Sequence, residues 1–207
     1  MESPQQLLLD ADGVLQRHPD AVTDLVRRVV GSGPDEWLVA RYADRAPGLA
    51  GDGDLRLPWR ERVRVLGPRA LPLEVHRRVW LRVHTHTEVL DLVAQLRRGG
   101  LPVHLATNQR AHRGAHMREV LGYDAHFDSC WYSHELGVAK PAPAYFEAVA
   151  AGIGARPRDC LLVDDNAANV RSAARLGMRT VRWTTREGVP ALRARLAAHG
   201  IPVDSRA

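Results

Sequence analysis

Residues 161–178 read LLVDDNAANVRSAARLGM, and the order of residue types in them carries the architecture. Leu161, Leu162 and Val163 form a short apolar run of the kind a buried strand requires, and two carboxylates, Asp164 and Asp165, stop it at once. Apolar residues then return at helical spacing from Ala167 to Leu176. Gly177 closes the pattern, because glycine takes the left-handed backbone of a helix end without a Cβ clash. Strand, polar turn, helix and glycine stop make half of a βαβ unit. The same order recurs through the chain. Strands are expected at 6–9, 102–106, 128–132 and 180–183, and helices at 88–98, 110–121, 142–151, 167–176 and 190–199, with glycine at 99, 122, 152, 177 and 200. This alternation predicts an α/β class protein with a doubly wound parallel sheet, a Rossmann-like core with right-handed crossovers.

Residues 16–86 break the alternation. They show helical periodicity (Leu25 and Val29; Trp59, Val63 and Leu66; Val75, Val79 and Val83) and no convincing strand, and they follow directly on the first strand. The expected organisation is a catalytic core of residues 1–15 and 87–207 with a small helical cap, 16–86, inserted between them. The 207 residues suffice for such a core plus one insertion.

Hydrophobic residues make up 45% of the chain and charged residues 26%, and no apolar run approaches the roughly 20 residues of a membrane span. The acidic start, Met1-Glu2-Ser3-Pro4, is unlike a secretory leader, so a cytoplasmic location is expected. Cys130 and Cys160 are too few for a disulfide framework and are not spaced as zinc ligands. The formal charge of +5 is modest, and clusters such as Arg60–Arg64 sit beside periodic apolar residues, as solvated helix faces do. No basic tract is interleaved with aromatic residues, which argues against nucleic acid as a partner. Of the 29 basic residues, 28 are arginine and one, Lys140, is lysine. A sequence that otherwise uses guanidinium throughout keeps one ammonium where a fork will not serve.

Sites in an open parallel sheet form at the carboxyl ends of its strands. The residues ending the apolar runs are Asp10 and Asp12, Thr107 and Asn108, Asp164 and Asp165, with Lys140 in a loop after Ser133. Four carboxylates on one edge repel one another unless a cation or a shared proton offsets them, and an all-oxygen donor set suits a hard ion, Mg²⁺.

Four segments, LLLDADGVL (7–15), LATN (105–108), GVAKPAPAYF (137–146) and the opening stretch 161–178, together resemble the four ordered motifs of the haloacid dehalogenase-like hydrolase superfamily. The helical insertion resembles the cap of the subfamily that holds many sugar-phosphate phosphatases and β-phosphoglucomutase. The resemblance implies a phosphoric monoester hydrolase acting on a small phosphorylated metabolite. In it, Asp10 is the nucleophile that forms an aspartyl-phosphate, and Asp12 protonates the leaving group and then activates water. The Thr107 hydroxyl and the Asn108 amide hold phosphoryl oxygens, and Lys140 neutralises charge on Asp10 and the phosphoryl group. Asp10, the main-chain carbonyl of Asp12 and Asp165 bind Mg²⁺, while Asp164 acts through water or from behind. The sequence leaves open which member of the acidic pair is the direct ligand, and whether Asn169 bonds to the site or caps its helix.

A dehalogenase of the same superfamily would lack the acid–base residue at position 12. A phosphomutase would keep every one of these groups, and the motifs do not separate it from a phosphatase. An intact motif set argues against a binding or regulatory protein that has lost catalysis. His84 and His86, and the i, i+4 pair His112 and His116, have no third ligand in sequence and read as ordinary histidines. In the cap, Trp37, Arg41 and Arg45 form one stripe on an expected helix: either it faces the core and selects substrate, or Trp37 packs within the cap with both arginines in solvent, and selectivity is then sought at other cap residues such as Arg17 or Arg60. Oligomeric state leaves no trace in the sequence.

Overall fold

The computed structural model describes residues 4–17 and 81–203. The cap stripe of Trp37, Arg41 and Arg45, and Arg60, lie outside the described residues.

The first strand, β1 (Gln6–Leu9), is the centre of a five-stranded parallel sheet. Leu7, Leu8 and Leu9 are buried on both faces, which is why the strand reads as a continuous apolar run rather than an alternating one. It pairs with β4 (Val103–Thr107) on one side and β6 (Cys160–Asp164) on the other, so that Leu9 lies level with Leu105 and with Val163. Beyond them lie β5 (Ser129–Tyr132) and β7 (Arg179–Arg182), giving the order β5-β4-β1-β6-β7. The chain runs outward from β1 to one edge and then returns across β1 to build the other. The carboxyl end of β1 is therefore the switch point, where open α/β sheets bind ligands.

Alternate residues of β1 feed two separate cores. Leu7 and Leu9 pack with Val89, Leu92, Val93 and Leu96 of α1 (Thr87–Arg98) and with Leu192 and Leu196 of α6 (Val189–Ala198). Leu8 packs on the opposite face with Tyr145, Phe146 and Val149 of α4 (Pro143–Gly152) and with Ala173 of α5 (Ala167–Arg175). Helices on both faces make the sheet doubly wound, as expected. The expected strands and helices are present with their ends shifted by a residue or two. One such shift matters: β4 and β6 each run one residue further than their apolar runs, into Thr107 and Asp164.

Helix α2 (Ala111–Glu119) stops two residues short of its expected end, where Val120 and Leu121 both donate their N–H to the His116 carbonyl. A single helical turn, α3 (Ser133–Leu136), was not expected, because four residues are too few to show a period. Finally, β2 (Gln16–Arg17) and β3 (His84–Thr85) form a two-residue antiparallel ribbon that pairs Gln16 with Thr85 and Arg17 with His84. Arg17 and His84 thus lie side by side, next to the loop that follows β1. Among the described residues, no helix is long and apolar enough to cross a membrane.

Candidate active site

Asp10 follows β1 directly and stays in register, its N–H donating to the Val163 carbonyl at 3.0 Å. The chain then turns sharply: the N–H groups of Leu15 and Gln16 both reach the Ala11 carbonyl, at 2.8 and 2.9 Å, and Gly13 takes a φ of 82°. Within this turn the Ala11 N–H donates to Asp10 Oδ1 at 2.7 Å, aiming a buried carboxylate at the strand ends.

Lys140 approaches from the loop between α3 and α4. Asn108 fixes that loop with both ends of its amide: Nδ2 donates to the Lys140 carbonyl at 2.7 Å, and Oδ1 accepts the Lys140 N–H at 2.9 Å. The Lys140 side chain is buried, and Nζ meets Asp10 Oδ1 at 3.0 Å, Asp164 Oδ2 at 2.7 Å and the Ala106 carbonyl at 2.8 Å. An ammonium has three protons, and here there are three acceptors. Burial works against the charge on Lys140, but Asp10 and Asp164 outweigh it and raise its pKa above the usual lysine range. For Asp10 the balance is reversed: burial raises its pKa, Lys140 opposes this, and Asp164 and Asp12 add to the rise. One lysine shared between buried carboxylates leaves the cluster short of positive charge.

Asp164 is fully buried and saturated. Oδ1 accepts the Asn166 N–H at 2.8 Å, Asn169 Nδ2 lies 3.0 Å from each oxygen, and Lys140 takes Oδ2. Asn169 therefore bonds to the site, and the helix cap is supplied by Asn166, which accepts from the Ala168 N–H at 2.8 Å. Asp165 is half-buried, and its pKa is raised by burial and by Asp164. Its carboxylate lies directly over Gly13, where a Cβ would fall 2.3 Å from Oδ2. Asp10, Asp164 and Asp165 each offer a carboxylate oxygen within 4.8 Å of the others, the one group of three or more such side chains found among the described residues. Hard oxygen donors, raised carboxylate pKa values and a shortage of cations fit a divalent ion of the Mg²⁺ type.

Asp12 lies at the rim, its side chain 41% exposed. Gln109, Arg113 and Gln16, none of them singled out by sequence, all donate to it. Thr107 is buried beside them and accepts from Gln109 Nε2 at 3.2 Å. Arg17 is half-buried in the β2–β3 ribbon. The four sequence segments thus meet at one place: Asp10 and Asp12 from the first, Thr107 and Asn108 from the second, Lys140 from the third, Asp164, Asp165 and Asn169 from the fourth.

The doubly wound sheet thus gathers carboxylates and one lysine at its switch point, where open α/β sheets bind ligands. Residues 6–177 match the model of the haloacid dehalogenase-like hydrolases, and the chain belongs to that family. It is 32% identical over 167 residues to a phosphoserine phosphatase of Thermus thermophilus, covering 76% of this chain and 66% of the relative. It is 31% identical over 114 residues to a GMP/IMP nucleotidase of Escherichia coli, covering 55% of this chain and 46% of the relative. The chain thus spans from under half to about two thirds of the length of these relatives. In fold it is similar to a family enzyme of Bacteroides thetaiotaomicron solved as a magnesium complex, with a TM-score of 0.75 at 22% identity, covering 92% of this chain and 98% of that one.

Proposed function

We propose that the chain is a Mg²⁺-dependent phosphatase that hydrolyses a small phosphorylated metabolite through an aspartyl-phosphate on Asp10. The observation that carries this reading is the setting of Asp10: a buried carboxylate, held by the Ala11 N–H and Lys140 Nζ, with a second carboxylate two residues on at the rim. The names of the two curated relatives, both of which describe phosphate-ester chemistry, support it. The free thiols of Cys130 and Cys160 suit a reducing, cytoplasmic setting.

In the first step an Asp10 oxygen bonds to phosphorus as the bond to the leaving oxygen breaks, and Asp12 gives that oxygen its proton. In the second, Asp12 takes a proton from water, the water oxygen bonds to phosphorus, and the Asp10–phosphorus bond breaks, which restores both residues. Lys140 stays charged throughout and offsets the charge on Asp10 and the phosphoryl oxygens. The Thr107 hydroxyl and the Asn108 main-chain amide would orient those oxygens, the Asn108 side chain being committed to Lys140. Asp10, the Asp12 carbonyl and Asp165 would hold Mg²⁺, with Asp164 and Asn169 behind them. When bound, the ion neutralises the nucleophile and polarises the phosphoryl group.

The test is a screen of phosphorylated metabolites with Mg²⁺, scoring phosphate release and isomerised sugar phosphate separately. Phosphate release that is lost on chelation and in a folded Asp10→Asn variant is the expected result. Full activity of either would overturn the mechanism, and isomerised product without phosphate release would make the protein a mutase.

A further inference from the structure

Asp12 is held by three side chains from two parts of the chain. Arg113 NH2 donates to Oδ1 at 2.6 Å, Gln16 Nε2 to the same oxygen at 3.1 Å, and Gln109 Nε2 to Oδ2 at 2.9 Å. The Arg113 side chain is 12% exposed where that of Asp12 is 41% exposed, so the guanidinium forms a wall behind a carboxylate that still faces outward.

Each holder is fixed in its turn. Ser133 Oγ accepts the Gln109 N–H at 3.0 Å and lies 3.3 Å from its carbonyl, which His134 Nδ1 also approaches at 3.1 Å. Gln16 accepts from the Tyr123 hydroxyl at 3.1 Å. Arg113 rides on the first turn of α2, and α2 can lie this close to α3 because position 114 is glycine: a Cβ there would meet the His134 ring at 2.5 Å.

We propose that Arg113 is a positioning residue for Asp12. With Gln109 it fixes the Asp12 carboxyl group, whose proton passes to the leaving oxygen as the bond from that oxygen to phosphorus breaks, and so sets how well the enzyme cleaves esters whose leaving groups require protonation. The proposal rests on the acid–base reading of Asp12 given above. A proton donor must come within hydrogen-bond reach, about 2.6–3.2 Å, of the leaving oxygen. An unrestrained aspartate shares its time among several χ1 wells, of which one suffices. A hydrogen bond from a charged donor is roughly twice as strong as one from a neutral amide, so Arg113 outweighs either glutamine in choosing that well.

The experiment compares kcat/KM, which covers phosphoryl transfer to Asp10, for an aliphatic phosphate ester and for p-nitrophenyl phosphate. It uses the wild-type chain and the variants Arg113→Met, Arg113→Lys and Asp12→Asn. Arg113→Met is expected to lose on the order of tenfold to a hundredfold more with the aliphatic ester than with the aryl one, a fraction of the full general-acid effect. The loss falls on kcat rather than KM, and Arg113→Lys recovers part of it. Equal losses on both esters, or a rise in KM alone, would overturn the positioning role in favour of packing or substrate binding. Asp12→Asn separates the two layers of the argument. If it discriminates between the esters while Arg113→Met does not, the positioning role falls and the acid–base reading stands; if it does not discriminate, both fall. Should Arg113→Met fail to fold, Arg113→Gln, which keeps a donor without the charge, is judged by the same criterion.

Discussion

Lys140 directs its ammonium at three acceptors that surround one point, Asp10, Asp164 and the Ala106 carbonyl. A guanidinium is planar and wider, and cannot send its donors to the same three places from a buried position. Lys140→Arg is therefore expected to lower kcat on the order of 10²-fold to 10³-fold, while circular dichroism shows the fold intact. Activity near wild type would mean that a positive charge suffices and its shape does not. Gly13 makes a second prediction. Its φ of 82° and the 2.3 Å between a would-be Cβ and Asp165 Oδ2 leave alanine no room unless Asp165 moves. Gly13→Ala is expected to cost about 1–2 kcal/mol in backbone strain and to raise the Mg²⁺ concentration for half-maximal activity. An unchanged Mg²⁺ requirement in a folded variant would remove Asp165 from the ligands. Asp10, Asp12, Lys140, Asp164 and Asp165 could be read in the sequence because each follows an apolar run or stands alone of its kind. Gln109 and Arg113 could not. Their partner, Asp12, lies 97 and 101 residues away, and a polar residue on a polar stretch gives no signal of its own.

Elements are joined at the other end of the sheet by one carboxylate. Arg97, in the last turn of α1, grips Asp128 with two bonds, Nε to Oδ2 at 3.1 Å and NH2 to Oδ1 at 3.0 Å, while the Val103 N–H at the start of β4 donates to Oδ2 at 2.8 Å. Helix, strand and the approach to β5 thus meet on Asp128. Burial opposes its ionisation, but Arg97 and the Val103 N–H outweigh burial and hold its pKa below the usual carboxylate range. A carboxyl whose pKa is lower in the folded than in the unfolded chain stabilises the fold above its unfolded pKa, about 3.9 for aspartate, and loses that contribution as pH falls through the folded value. Asp128→Asn should therefore lower stability at pH 7 by roughly 0.5–1 kcal/mol, in keeping with a partly exposed pair. In urea melts the gap between variant and wild type should close below about pH 4. A gap independent of pH would assign the effect to packing. The strands and the longer helices were readable because period and glycine stops agree along each of them. The turn α3 was not, although its first residues, Ser133 and His134, hold Gln109 in place.

The described part of the molecule is organised around the carboxyl end of β1, where outward and return halves of the sheet meet and where, in the organisation we propose, residues 18–83 are inserted. Among the described residues, the two apolar clusters draw their buried side chains from 7–15 and 89–201. Arg17 and His84 face each other across the antiparallel ribbon, at a separation that a two-residue turn can close. This gives a test of how labour is divided between core and insertion. Replacing residues 18–83 by Asn-Gly should leave a chain that unfolds cooperatively and still releases phosphate from p-nitrophenyl phosphate, because every proposed chemical group lies in the core. Its preference for the best metabolite over p-nitrophenyl phosphate, as the ratio of kcat/KM values, should fall by about tenfold or more, since contacts to the part of the substrate remote from phosphorus are what such a ratio measures. A shortened chain that keeps the full preference would put selectivity outside residues 18–83, with Arg17 and Arg113 the first side chains to examine. One that no longer folds would show the insertion to be part of the core's stability, not a module laid over it.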